Sequence, residues 1–196
     1  MSLNPVTLTE LDFGTTADFS ISMWIRQDDF ANDPAVLSNK NWANGGNTGV
    51  NWAVKGNGIF DLNTKGSTGT RLDLDTAQNS TSLGVGVWSH VLMTIDRDGP
   101  TKLYINGVNT GTINLSSPGT FNGSLPWNIG QDGTGNYSVE LTGAVDELAE
   151  LMPDVRDRGP KPVHGQLLPV GGIDRDHDRR LTLVLAHADV RDRDQP

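Results

Sequence analysis

The sequence predicts an all-β domain made of two packed antiparallel sheets. No segment before residue 150 shows a helical period, whereas short segments with alternating or continuous apolar residues recur throughout. Residues with turn chemistry (Gly, Pro, Asn and Asp) separate these segments at short intervals, as in two-sheet sandwiches. The predicted strands cover residues 6–10, 18–26, 35–38, 50–54, 58–62, 70–74, 86–95, 101–105, 108–115, 125–129 and 141–149.

Residues 86–115 give the clearest structural signal and predict a three-stranded meander. Residues 86–95 alternate with apolar side chains on both faces, so we expect this strand to be covered on both sides. Residues 96–100 read Asp-Arg-Asp-Gly-Pro and form a turn. Asn106-Gly107 suits a type I′ turn, because both of its residues tolerate positive φ.

Three motifs in this order resemble laminin-G-like domains of the concanavalin A-like jelly-roll superfamily. The motifs are Asp18 to Ile25, the run from Trp88 through Leu103-Tyr104-Ile105-Asn106-Gly107, and Asn128-Ile129-Gly130 with Gly143 to Leu148. The resemblance covers about residues 6–149 and implies a two-sheet jelly-roll sandwich. It does not by itself fix a function, since this fold carries lectins, adhesion modules, spacers and some hydrolases.

Charge is unevenly distributed along the chain. Residues 1–150 hold 7 basic and 16 acidic side chains, whereas residues 151–196 hold 8 of each. An acidic body argues against nucleic acid as a partner, because phosphate binding needs a basic surface. No apolar run approaches the ~20 residues of a membrane-spanning helix, so we expect no membrane insertion.

Residues 151–196 differ in character from the preceding chain. They contain no aromatic residue, and Asp-Val-Arg-Asp-Arg occurs at 154–158 and again at 189–193. Such a segment buries too little apolar surface to offset the entropy of ordering. We therefore expect a sandwich over residues 1–150 and a poorly ordered or loosely packed tail over 151–196, in which residues 181–186 are able to add one strand.

Two loops are the candidate ligand sites. In the loop at residues 39–49, amides that donate and accept accompany a flat aromatic face, the combination that sugar recognition uses. The second loop, residues 131–137, follows a strand at one end of the sandwich, where binding loops gather. The candidates are Asn39, Lys40, Trp42, Asn44, Asn47, Asp132, Asn136 and Tyr137. Asn and Gly also dominate purely structural loops, so a conformational role is the alternative for both.

Asp146 is the candidate metal ligand. In the domains that this chain resembles, an acid on the closing strand helps to bind a structural Ca²⁺ together with backbone carbonyls from near the N-terminus. Calcium needs six to eight oxygen ligands, and one carboxylate does not supply them.

The remaining aromatic residues favour structural roles. We expect Trp24, Trp52, Trp88 and Trp127 to pack in the core or on a sheet face. Trp52 or Trp127 on a concave face is an alternative stacking platform for a sugar. His90 is expected to be a structural histidine.

A glycoside hydrolase is the remote alternative. Glucanases of this fold carry acids at alternate positions of one strand. The closing strand here presents Ala144, Asp146, Leu148 and Glu150 on that face, so two of the acids are missing. We therefore expect no catalytic residue and no enzymatic activity.

The sequence thus predicts a non-catalytic, lectin-like module that binds a glycan or polysaccharide. We expect it in a larger extracellular, bacterial protein, secreted or at the cell surface, although residues 1–5 contain no signal peptide. The second hypothesis is a structural spacer or an adhesion domain with protein partners. Exposure of Trp42 and Tyr137 distinguishes the two, because a buried pair leaves no platform for stacking.

Overall fold

The structure, a computed structural model, is a two-sheet β-sandwich. It describes residues 11, 13–29, 33–44, 46–75, 82–114 and 119–151. The strands are β1 (Phe19–Gln27), β2 (Ala35–Ser38), β3 (Gly49–Val54), β4 (Phe60–Lys65), β5 (Leu72–Asp75), β6 (Ser89–Ile95), β7 (Pro100–Ile105), β8 (Val108–Asn114), β9 (Asn128–Ile129) and β10 (Gly143–Leu151). A 3₁₀ turn spans Trp42–Asn44.

The strands form two five-stranded antiparallel sheets. Sheet A has the order β10-β1-β6-β7-β8, and sheet B has the order β5-β4-β3-β2-β9. The sequence prediction of a two-sheet jelly-roll sandwich is confirmed. The predicted strand at residues 6–10 and the predicted tail beyond residue 151 lie outside the described residues. Within the described ranges, no helix is long and apolar enough to cross a membrane.

The core lies between the two sheets. On sheet B, one cross-strand row of apolar side chains faces it: Ile129, Leu37, Trp52, Leu62 and Leu74. Trp52 is fully buried beside Phe60, with ring centroids 5.1 Å apart. Trp127 also belongs to this core. The alternative that Trp52 or Trp127 forms a sugar-stacking platform is therefore wrong, because both rings pack between the sheets.

The predicted meander is confirmed as β6, β7 and β8. Asn106 and Gly107 have φ of 50° and 80°, the positive values that a type I′ turn requires. Coverage of β6 on both sides is wrong. Its side chains alternate between buried and partly exposed, and Val87 and Trp88 precede the strand with more than a third of their surface exposed.

Arg97 ties the turn after β6 to two segments that flank the core. Its guanidinium donates to the backbone carbonyls of Ala17 (2.6 Å), Phe13 and Gly14 (3.1 Å each), and also to that of Gly119. The group lies 4.9 Å from the Phe121 ring centroid. The sequence marks this arginine only as a turn residue, whereas the structure buries it as a clamp. Burial lowers its pKa, and the nearby Asp18 carboxylate partly offsets that effect.

Candidate functional site

The two loops predicted to bind a ligand lie side by side at one end of sheet B. The amide of Gly133 donates to the carbonyl of Lys40 (2.7 Å), and the amide of Trp42 donates to Oδ2 of Asp132 (2.9 Å). Residues about ninety positions apart in the sequence are thereby joined. β9, which precedes the second loop, pairs antiparallel with β2, which precedes the first, so the two loops leave this pair in opposite directions. The second loop reaches the first because it turns back over β9, where Nδ2 of Asn128 donates to the carbonyl of Asp132 (2.6 Å).

Gly133 makes this close contact possible. A Cβ atom at this position would lie 2.6 Å from the carbonyl carbon of Asn39 and 2.8 Å from the amide nitrogen of Lys40. Both are backbone atoms, which do not move aside easily. The small residue is thus required by the approach of the two loops.

Asn39 and Asp132 are buried and act as anchors of the loops. Oδ1 of Asn39 accepts from the Val50 amide (2.7 Å), and its Nδ2 donates to the Phe121 carbonyl (2.9 Å). Oδ1 of Asp132 accepts from the Thr134 amide (2.9 Å), while Oδ2 accepts from Trp42. These buried side chains therefore stabilise the shape of the two loops.

Lys40 is also buried and extends along the outer face of sheet B. Its ammonium donates to Oδ1 of Asn63, and Nδ2 of Asn63 in turn donates to Oδ1 of Asp73. Burial, followed by repulsion from Arg71, lowers the pKa of Lys40 to about 8. Lys40, which was predicted to bind a ligand, is therefore buried and bonded to other side chains on the outer face of sheet B.

Trp42 and Tyr137 are both half-buried. The Tyr137 amide donates to Oε1 of Gln131 (3.1 Å). Burial raises the pKa of the Tyr137 hydroxyl, and the carboxylates of Asp33 and Asp132 add to the effect. The criterion for rejecting a sugar-stacking role, complete burial of both rings, is not met.

Asn47 organises the first loop. Its Oδ1 accepts from the Asn41 amide (3.1 Å), and its Nδ2 donates to the carbonyls of Asn41 (3.0 Å) and Asn44 (2.6 Å). The Asn44 amide also donates to Oδ1 of Asn41 (3.0 Å). One asparagine side chain therefore fixes the shape of the loop before any ligand arrives.

An open cleft of about 440 Å³ lies beside this loop. The volume falls within the range of small-molecule sites, roughly 300–1,000 Å³. Its lining consists of four asparagines, three hydroxyl residues, one glycine and one leucine: Asn41, Asn44, Asn47, Asn122, Thr48, Ser67, Ser124, Gly123 and Leu125. We refer to it as the asparagine cleft.

Several polar groups of the asparagine cleft are available to a ligand. Within the described residues, the side-chain amide of Asn44, Nδ2 of Asn41 and the hydroxyls of Thr48 and Ser124 make no hydrogen bond. Asn44 and Ser124 are exposed. Together these groups supply both donors and acceptors at a preformed rim.

The second wall of the cleft was missed by sequence reasoning. Residues 122–124 lie between the predicted strands at 108–115 and 125–129, and Ser67 lies between those at 58–62 and 70–74, so none of them was a candidate. The Asn-Gly-Ser run shares the amide and glycine content of residues 39–49 but lacks their tryptophan, so composition gave only part of that signal. Only the tertiary structure shows that it faces the first loop.

Asn136 lies outside the cleft lining. Its side chain is exposed, and Nδ2 donates to the Thr134 carbonyl of its own loop (3.0 Å). The second loop therefore supports the site mainly through Asp132 and Gly133.

Asp146 sits on β10, opposite Trp24 of β1. Its Oδ1 accepts from the amide of Glu147 (2.8 Å), which has φ of 50° at an irregularity of the strand. In the part of the chain that the structure describes, no three His, Asp or Glu side chains group closely enough to hold a metal ion. A calcium site also takes backbone carbonyls, and residues 1–10 near the N-terminus lie outside the described residues, so calcium binding at Asp146 stays a prediction.

The outer face of sheet A carries the exposed aromatic residues. Trp24 and Trp88 are 38% and 41% exposed. The Trp24 ring meets His90 edge-on, with centroids 5.5 Å apart, and the guanidinium of Arg26 lies 5.6 Å from the Trp88 centroid. Sheet-face packing of these residues, including the structural role expected for His90, agrees with this arrangement.

Acidic residues cluster elsewhere, on the outer face of sheet B. Asp61 of β4 is directly opposite Asp75 of β5, whose Oδ1 lies 2.7 Å from Nζ of Lys55. Burial and the Asp75 carboxylate raise the pKa of Asp61 to about 6. None of these carboxylates lines the asparagine cleft.

Comparison with known families identifies the chain. Residues 3–149 match the family model Laminin_G_3, described as the concanavalin A-like lectin/glucanases superfamily. The match covers most of the chain, so the protein belongs to this family. No curated protein matches the sequence.

Solved structures agree on the fold. A protein from Bacteroides ovatus to which carbohydrate binding has been attributed superposes with a TM-score of 0.55 at 16% identity, covering 76% of this chain and 40% of that one. The native heptameric SAP-like pentraxin from Limulus polyphemus superposes with a TM-score of 0.50 at 16% identity, covering 76% and 74%. The chain thus spans less than half of the Bacteroides protein, and at this identity the likeness concerns the fold.

Proposed function

We propose that this domain is a non-catalytic carbohydrate-recognition module of a secreted or cell-surface protein and that the asparagine cleft is its binding site. The observation that carries the proposal is the meeting of the asparagine-rich loop at 39–49 with residues 122–125 around a preformed cleft, in which amide and hydroxyl groups of Asn41, Asn44 and Ser124 are unused within the described residues. Sugar hydroxyls both donate and accept, and planar amides match them in both roles. The family and the fold of the Bacteroides protein support this assignment.

The residues fall into two roles. Asn41, Asn44 and Ser124 contact the ligand through groups that the protein leaves unused. Asn47 positions the loop, and the buried Asn39 and Asp132 anchor it. Binding to a preformed loop costs less ordering entropy than binding to one that must fold around its ligand.

The composition of the cleft also supports the non-catalytic role. Glycoside hydrolysis by the common mechanism needs two carboxyl groups about 5–9.5 Å apart around the bond. None of the nine residues that line the cleft is an aspartate or a glutamate. A sugar bound there has no acid or base beside its glycosidic bond.

The test is a titration of the full chain with mono- and oligosaccharides, followed by calorimetry and by NMR of the asparagine side-chain amides. Asn44→Ala and Ser124→Ala should each weaken binding about 5- to 30-fold, the loss of one or two hydrogen bonds. Asn57→Ala is the matched control, since this exposed asparagine lies at the opposite end of β3 and β4.

The spacer hypothesis makes the opposite prediction. A structural domain should bind none of the saccharides while showing the same cooperative melt. Equal binding by Asn44→Ala, Ser124→Ala and the control would instead locate the site elsewhere, with the outer face of sheet A around Trp24 and Trp88 as the next surface to mutate.

A further inference from the structure

The asparagine cleft is uncharged in a strongly acidic protein. About one residue in five of the chain is charged, and the formal net charge is −9. Even so, no Asp, Glu, Lys, Arg or His occurs among the residues that line the cleft. A site for an anionic sugar normally places a guanidinium or an ammonium against the carboxylate or sulfate.

Lys65, near the rim of the cleft, is tied to the loop. Its Nζ donates to the carbonyl of Gly46 (2.7 Å), two residues from Asn44. This bond directs the ammonium to the protein backbone. It also helps Asn47 to hold the loop in its shape. The formal net charge of −9 lowers the concentration of anions near the protein, since the field of the whole protein acts over the Debye length.

The available groups of the cleft also disfavour anions. The side chain of Asn44 offers a carbonyl oxygen beside its amide, and the hydroxyls of Thr48 and Ser124 accept as readily as they donate. A hydroxyl of a sugar satisfies both kinds of group. A carboxylate or sulfate only accepts, so it leaves the carbonyl oxygen of Asn44 without a donor and repels it.

We infer that the ligand of this cleft is a neutral saccharide, recognised through unmodified hydroxyl groups over one or two sugar rings, and that sugars bearing carboxylate or sulfate are excluded. This inference rests on the proposed carbohydrate-binding function and specifies its ligand class. The asparagines and hydroxyls select by their ability to both donate and accept, and the residues that line the cleft include no lysine, arginine or histidine to bind a negative charge.

The experiment compares matched pairs of ligands on the full chain. Each neutral oligosaccharide is titrated beside its sialylated, uronic acid or sulfated counterpart, at low and at high salt. We expect the neutral member to bind at least 10-fold more tightly, with an affinity that changes less than 2-fold with salt. Equal or tighter binding of the charged member would overturn the inference while leaving carbohydrate binding intact.

Variants that introduce a charge at Asn44 test whether charged sugars reach the cleft. Asn44→Lys should raise the affinity for the charged member of a pair about 10-fold at low salt, and added salt should remove that gain. Asn44→Asp is the matched variant of opposite sign and should weaken it further. Unchanged affinity for the neutral and the charged sugars in both variants would show that saccharides bind outside this cleft, and would overturn the inference.

Absence of binding by every neutral and charged saccharide would overturn both proposals together. A preference for charged sugars that depends on Lys65, tested with Lys65→Gln, would overturn only the inference. The two failures therefore give different results in the same set of titrations.

Discussion

The two sheets contain equal numbers of strands but differ in how far their outer faces are buried. In sheet A, β1 and β6 alternate between buried and partly exposed residues, so only the inner face is covered. In sheet B, every residue of β2 and β3 is buried, and β4 is buried up to its last residue. Strands β2, β3 and β4 of sheet B are therefore covered on both sides, although their outer face is polar, whereas the edge strand β5 is partly exposed.

The outer face of sheet B carries one polar row across all five strands: Asn128, Ser38, Asn51, Asn63 and Asp73. From the sequence, double coverage was assigned to β6, because that segment has apolar residues on both faces. Apolar character shows which side chains tolerate burial, but it does not show which surfaces are covered. Polar side chains tolerate burial where they have partners, and Asn63 of this row bonds to Lys40 and Asp73.

The largest expected effect on stability concerns two buried cations, Arg97 in the turn after β6 of sheet A and Lys40 in the loop after β2 of sheet B. Arg97→Met should lower the free energy of unfolding by about 3–5 kcal/mol, because four backbone carbonyls lose their donor. Lys40→Met should cost about 1 kcal/mol, since removing the desolvated ammonium offsets the loss of its bond to Asn63. Urea denaturation at pH 7 measures both, and equal costs would contradict the difference between the sheets.

A second pair of variants tests the one-sided burial of sheet A. Met23 and Trp24 are neighbours on β1 that face the core and the solvent, with exposures of 1% and 38%. Met23→Ala should cost about 2–4 kcal/mol through the cavity that it leaves. Trp24→Ala should cost about 1 kcal/mol or less. A larger loss for Trp24 in thermal or urea unfolding would mean that the outer face is covered after all.

A third pair tests the polar row of sheet B. Asn63→Ala should cost about 2 kcal/mol, because it leaves the ammonium of Lys40 without an acceptor that Asn63 provides. Asn51 is equally buried and directly opposite Asn63, yet among the described residues neither polar atom of its side-chain amide has a partner. Asn51→Ala should therefore cost less than 1 kcal/mol. Chemical denaturation decides the order, and a larger cost for Asn51 would contradict it.

The smallest effect is a pH dependence that comes from sheet B. Asp61 is 7% exposed, and its pKa is raised from 3.8 to about 6, first by burial and then by Asp75. The folded state thus holds this proton more tightly than the unfolded state, so stability falls as the pH rises from about 4 to about 6. Asp61→Asn should remove that slope and stabilise the protein at pH 7 by about 1–2 kcal/mol.

Thermal unfolding between pH 4 and 7 measures this contribution. Asp98→Asn, in the exposed turn between β6 and β7, is the matched control and should keep the slope. A wild-type slope of the opposite sign that Asp61→Asn leaves unchanged would contradict the assignment to Asp61.

The loop predicted at residues 39–49 forms one wall of the asparagine cleft, whereas the other wall was not among the predicted residues. Asn44 and Asn47 line the cleft as the composition of their loop suggested. Asn39, Lys40 and Asp132 were selected by the same criterion, but the structure buries them as supports. Composition identifies residues able to bind a sugar, whereas burial decides which of them a sugar reaches.

The sequence by itself determined the strands that lie within the described residues, the type I′ turn at Asn106-Gly107 and the sandwich, because period-2 patterning and turn chemistry are local properties. It also determined the absence of charge in the loop at 41–49. The tertiary structure alone decided that residues 122–125 face that loop, that Arg97 is a clamp, and that β2, β3 and β4 are covered on both sides. These features depend on contacts between distant segments, and no local pattern encodes which surfaces meet.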